Sequence, residues 1–175
     1  MPTETLRPSG VGATTDISNS TEATHWEAVD EVTADDGNSY VYQGSNGAKV
    51  DTYALPASVG SGTITSVTAY VRARQAWRPS SPGNTVRAVV RTGGTDYFGS
   101  LETLPHDGSW NTYSKEWTTN PNTGNPWTWA EIDALECGVE ISRLASYPSC
   151  TQCYIVVTTP VLIAASGGSQ AHIIS

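Results

Sequence analysis

Lysine is nearly absent from this chain. Lys49 and Lys115 are the only two, and lysine plus arginine together number 9 against 17 aspartates and glutamates. A chain of net charge −8 lacks the basic surface that neutralises a phosphate backbone, so nucleic acid is not expected as a partner. Long apolar runs are missing as well. No stretch of about eighteen consecutive apolar residues occurs, so no membrane-spanning helix is expected. The opening MPTETLRPSG has no basic stretch followed by an apolar core, so no signal peptide is read there and folding in a host cytoplasm is expected. Charged residues of either sign are scarce, at 15% where a globular chain has about a quarter.

Serine, threonine, glycine, asparagine and proline fill the space the charges leave. That mixture suits short strands with hydroxyl-bearing outer faces and many turns. Period-two alternation supplies the strands. Residues 63–74 set Val67, Ala69, Val71 and Ala73 against Thr68, Tyr70, Arg72 and Arg74. Residues 85–92 set Val86, Ala88 and Val90 against Arg87, Val89 and Arg91. Further strands are read at 26–29, 39–43, 49–54, 96–98, 101–104, 112–118, 139–142 and 150–158. The sum, about eight to ten strands, predicts an all-β fold: a two-sheet antiparallel jelly-roll-like sandwich.

One segment breaks the pattern. The turn-forming NPNTGNP leads into Thr128-Trp129-Ala130-Glu131, a Thr-x-x-Glu capping box. Ile132 and Leu135 form an apolar stripe behind it, and Gly138 fits the left-handed position after a last helical turn. A short helix over about 129–136 is predicted, inserted before the last strands.

The ends read differently from the middle. Residues 1–23 form an expected N-terminal arm with one β segment, Thr3 to Arg7, read either as a disordered tail or as a segment held by a neighbouring subunit. The sandwich domain occupies 24–159. Residues 160–175 form an expected C-terminal arm, in which Val161, Leu162 and Ile163 are apolar and a Ser-Gly-Gly-Ser hinge follows.

Catalytic chemistry finds little footing. There is no Gly-x-Ser-x-Gly elbow, and His25, His106 and His172 stand in no triad motif. Neither enzymatic activity nor a cofactor is expected. The acids Asp30, Asp35 and Asp36 cluster around one turn, to be read as a solvated acidic loop or as a calcium site built from hard oxygen ligands. Cys137, Cys150 and Cys153 leave three readings open: buried free thiols, a disulfide from Cys137 to either of the others, or a metal site completed by a histidine. Six tryptophans and eight tyrosines suit either sugar stacking or a protein interface. Trp77 in a Pro-rich loop, and Trp110 and Trp127 in turns, are the candidates for exposure. Arg72, Arg74, Arg87 and Arg91 would form one basic docking patch if their two strands pair as a hairpin. Cross-strand ion pairing with outer acids such as Glu140 or Asp51 is the other reading.

The run from Trp117 to Ile141, WTTNPNTGNPWTWAEIDALECGVEI, resembles a pattern in uncharacterised jelly-roll-like proteins associated with the virions of tailed phages. The resemblance extends from His25-Trp26-Glu27 to about Thr158. It implies a phage structural protein, foremost a capsid decoration (cement) protein on the particle exterior. Its expected partner is then the major capsid protein or another virion protein, and its expected assembly a homo-oligomer, with a trimer favoured. The alternative is a carbohydrate-binding or host-attachment (tail adhesin) module on the same kind of sandwich, with a carbohydrate as partner.

Overall fold

Side-chain alternation organises the protein, as the computed structural model shows over the residues it describes, 2–77 and 83–160. The elements are β1 (Thr3–Leu6), β2 (Gly10–Thr15), β3 (Asn19–Ser20), a 3-10 turn (Trp26–Ala28), β4 (Val41–Tyr42), β5 (Gly47–Ala54), β6 (Ser66–Gln75), β7 (Thr85–Thr92), β8 (Thr95–Phe98), β9 (Glu102–Thr103), β10 (Asn111–Trp117), α1 (Trp129–Asp133), β11 (Glu136–Arg143) and β12 (Pro148–Thr158). Two six-stranded sheets result. Sheet A runs β10-β6-β12-β4-β3, with β1 also on β12; sheet B runs β2-β5-β11-β7-β8, with β9 also on β7. Among the described residues, every pair of neighbouring strands is antiparallel. The expected all-β, two-sheet jelly-roll-like sandwich with one short helix is the fold observed.

The core lies between the sheets. Val67, Ala69, Val71 and Ala73 of β6 are fully buried, as are Cys153, Ile155 and Val157 of β12. Facing them are Val86 and Val90 of β7 and Cys137, Val139 and Ile141 of β11. At about 25 cal/mol per Å² of apolar surface, each valine and isoleucine among them contributes roughly 1.5–3 kcal/mol, and a one-residue slip would turn the whole set outward.

Several sequence expectations change here. The N-terminal segment is no arm. Thr3–Leu6 pairs with Ile155–Thr158 in sheet A, and β2 pairs with β5 in sheet B. Leu6 and Ile17 belong to the core. Residues 26–28 form a 3-10 turn, not a strand. β6 and β7 do not pair as a hairpin, because the chain between them crosses from one sheet to the other. The C-terminal arm, with Val161, Leu162 and Ile163, lies outside the described residues.

The helix is shorter than expected but starts where predicted. Thr128 caps α1 with both halves of the capping box in place, and Ile132 and Leu135 are buried. Gly138 does not end the helix. It sits in β11, where a Cβ would collide with the backbone oxygen of Asp51 on β5. Glycine is there for close strand approach, not for a left-handed backbone.

Candidate functional site

The outer face of sheet A carries the best site. Inward small residues on β6 leave Tyr70, Arg72 and Arg74 on its outer side. On β12 their cross-strand partners are Tyr154, Gln152 and Ser149. The register of β12 shifts between Cys150 and Gln152, and the extra residue is Thr151. A bulge of this kind bends the strand and frees a residue from the ladder. The Thr151 hydroxyl uses that freedom to donate to the Ser39 carbonyl (2.8 Å) and to Asp35 Oδ1 (3.1 Å).

Thr151 thereby anchors the acidic loop, residues 30–39, across the middle of the face. Asp36 adopts a left-handed backbone (φ 50°), which aspartate tolerates better than most residues. Its carboxylate accepts from Arg72 Nε at 2.6 Å and from Arg72 Nη2. That pairing holds the Asp36 carboxyl below the ordinary aspartate range. Gln152 Nε2 donates to the Glu31 carbonyl at 2.6 Å, and Glu31 accepts from the Ser39 hydroxyl. Burial pushes the Glu31 and Asp30 carboxyls up.

This disposition engages two of the three acids of the calcium reading. Asp35 is taken up by Ser39 and Thr151, and Asp36 by Arg72. Among the described residues, no three histidine, cysteine, aspartate or glutamate side chains converge as metal ligands would.

The loop leaves one end of the face open. A cleft of about 270 Å³ remains there, lined by Tyr40, Tyr42, Arg74, Ala76, Tyr147 and Ser149. Tyr40 lies between two rings, with centroids 5.8 Å from Tyr42 and 6.4 Å from Trp110, both tilted. The Arg74 guanidinium stacks 4.5 Å above Trp110, and Arg143 lies 4.2 Å above Tyr147. Trp77 directly follows Ala76 in the cleft wall and is 67% exposed.

Buried amides hold this wall in place. Asn84 is fully buried. It donates to the Ser146 carbonyl and hydroxyl, and its own oxygen accepts from Leu144 N. Asn84 N donates to Gln75 Oε1, and Gln75 Nε2 meets His106 Nδ1 at 2.8 Å. The turn carrying Tyr147 is thus tied to β6 and to the start of β7.

The aromatic expectations divide. Trp77 is exposed, and Trp110 is half-buried under Arg74. Trp127, expected at the surface, is 4% exposed and belongs to the core. Its indole N–H donates to the Trp117 carbonyl, so a turn position concealed a core side chain. Tyr40, Tyr42 and Tyr147 were not singled out from sequence. Arg74, two residues beyond Arg72 on one strand face, and Trp110, against which Tyr40 packs, pointed toward their neighbourhood.

The basic patch does not assemble. Arg72 and Arg74 lie on sheet A; Arg87 and Arg91 lie on sheet B. Arg87 makes two bonds to Glu140 (2.7 and 2.8 Å), and Arg91 pairs with Asp96 at 2.7 Å. Cross-strand pairing with Glu140, the alternative reading, is what Arg87 does. The cysteines are free and buried. Cys137 belongs to sheet B and the other two to sheet A, so no hairpin joins them for a disulfide to staple. Burial pushes the Cys150 thiol up to about 12 and, with Cys137 beside it, raises Cys153 as well. Such thiols are inert packing groups.

A larger groove, about 750 Å³, lies at the far end of β12, with Pro2, Glu4, Val59, Gly60, Trp129 and Pro160 among its walls. Its one carboxylate and its indole are already engaged, though the hydroxyls of Thr3, Ser61 and Thr63 make no hydrogen bond among the described residues. Glu4 accepts from Val59 N and Gly60 N, and the Trp129 indole donates to the Gly62 carbonyl. The smaller cleft differs in combining aromatic rings with a cation unpaired among the described residues. The hydroxyls of Tyr40, Tyr42, Tyr147 and Ser149, and the Arg74 guanidinium, make no hydrogen bond among the described residues.

No family model and no curated protein matches the chain. Solved structures do resemble it. A family 35 carbohydrate-binding module from Cellvibrio japonicus is 13% identical, with 91% of this chain and 95% of that chain covered and a TM-score of 0.46. The xylan-binding module CBM15 is 12% identical, covering 89% and 92%, with a TM-score of 0.44. The enzymatically active domain of bacteriophage CBA120 tailspike protein 4 is 12% identical, covering 87% of this chain and 19% of that chain, with a TM-score of 0.44. The likeness is one of fold.

Proposed function

We propose that this domain is a non-catalytic carbohydrate-binding module that serves attachment of a virion to its host. The cleft carries the reading. Three tyrosines and a serine with unengaged hydroxyls surround one concavity, where ring faces can stack on sugar C–H groups and hydroxyls can exchange hydrogen bonds with sugar hydroxyls. The virion setting rests on the resemblance of residues 117–141 to phage proteins.

Capsid decoration is the weaker reading. It relied on two arms and a four-arginine patch: the N-terminal arm is built into the chain's own sheets, the patch is divided between them, and the C-terminal arm lies outside the described residues.

Native gels containing soluble polysaccharides test the proposal. The protein should be retarded by at least one of them. Tyr42→Ala and Tyr147→Ala should each abolish the retardation with little change in unfolding midpoint, since both residues lie outside the core. Retardation that survives both substitutions would place the sugar elsewhere, and retardation by no polysaccharide would overturn the reading.

A further inference from the structure

The geometry of this cleft points to a saccharide that bears a carboxylate, an inference that rests on the carbohydrate-binding reading above. The chain as a whole repels anions, at net charge −8. Most of its described arginines are engaged internally. Arg72, Arg87 and Arg91 each hold a carboxylate, and Arg7 donates to the carbonyls of Glu31 and Val32.

Arg74 does neither. Among the described residues it has no carboxylate within 4.0 Å and no hydrogen bond. Its charge helps to lower the Asp36 carboxyl, but that carboxylate is bonded to Arg72. Arg72, Asp36 and Arg74 together leave one positive charge at the cleft wall. Arg143, above the ring of Tyr147 at the rim, donates to the Gly44 carbonyl and likewise has no carboxylate partner. No acid lines the cleft.

The indole of Trp110 covers one face of the Arg74 guanidinium. Stacking of this kind holds the planar fork in place and leaves its N–H edge for a ligand. A guanidinium edge matches a carboxylate through two parallel bonds, which a neutral hydroxyl cannot supply. Neutral saccharides would need the ring faces and the hydroxyls but not this cation.

A glycan array with three matched sets tests the inference: uronate-containing saccharides, the same saccharides with the carboxyl reduced to an alcohol, and sulfated saccharides on the same backbones. The uronates should bind, and their reduced counterparts should bind about tenfold more weakly or worse, the scale of one lost charge-assisted pair. Arg74→Gln should weaken uronate binding by a similar factor, and Arg74→Lys should weaken it less, with thermal unfolding confirming that both variants fold. Equal binding of reduced and acidic sugars, or indifference to Arg74→Gln, would overturn the carboxylate assignment and leave a neutral-sugar module. Sulfated sugars binding as tightly as uronates would show that charge alone is read, and would overturn it too. Binding of no member would overturn the carbohydrate reading along with it.

Discussion

Asp51 is a carboxylate without water around it. Its side chain is 0% exposed, and its Oδ2 lies 2.6 Å from His25 Nδ1. Oδ1 accepts from Ile17 N at 2.8 Å, and the Tyr53 hydroxyl reaches Oδ2 at 3.4 Å. Burial raises the Asp51 pKa, with the Ile17 and His25 contacts opposing. A folded-state pKa above the unfolded value means that the fold binds the proton more tightly than the unfolded chain does. The stabilisation is therefore complete below the unfolded value and is lost as pH rises through the folded one. Glu31 and Asp30 add contributions of the same sign; Asp36, lowered by Arg72, has the opposite one. Asp51→Asn keeps an acceptor for Ile17 N and removes the titration. Melting temperatures of both proteins between about pH 4 and 7 should show the wild type falling relative to the variant as pH increases. A constant gap would mean that Asp51 does not change protonation in that window.

The best-specified element is the shortest helix a sandwich could use. Thr128 accepts from Glu131 N and the Glu131 carboxylate accepts from Thr128 N. Thr128→Ala should destabilise by about 1 kcal/mol through the lost cap. Ile132→Ala empties a fully buried site and should cost about 2–5 kcal/mol. Denaturant unfolding measures both, and a negligible effect at Ile132 would detach the helix from the core. Legibility at this scale followed pattern strength. Residues 85–92 were read with both ends right, because the alternation is broken only at Val89 and Gly93-Gly94 closes the strand in a tight turn. β2 escaped notice because GVGATT offers little apolar contrast and half its positions are exposed. The hairpin between β6 and β7 was misjudged because loop length alone does not say whether the chain returns along one sheet or crosses to the other. The candidate cleft was half legible. Arg74 and Trp110 stood out as single residues, but their meeting with Tyr40, Tyr42 and Tyr147 depends on strand order and on the Thr151 bulge, neither of which leaves a local mark.

Across the whole molecule, the N-terminal strands belong to both sheets at once. β1 completes the free edge of β12, and β2 flanks β5. Deleting residues 2–15 should therefore strip a neighbour from each sheet and remove Leu6 from the core, a loss comparable with the roughly 5–15 kcal/mol by which domains are stable. The truncated chain should lose cooperative unfolding, as followed by circular dichroism. Intact cooperativity would reduce β1 and β2 to appendages.

β12 is the last strand among the described residues, yet it lies inside sheet A, with β6 on one side and β4 and β1 on the other. Until it emerges from the ribosome, β1 lacks the strand it pairs with, and β6 shows an open edge beside its apolar face. Thr3 must wait for Thr158. Sheet A therefore cannot nucleate from its beginning and grow along the chain; it closes in one late step, after synthesis has passed residue 158. Pairing across such a separation puts folding at the slow end of the range for a domain of this size, and leaves the half-made chain exposed to association with its neighbours for that interval.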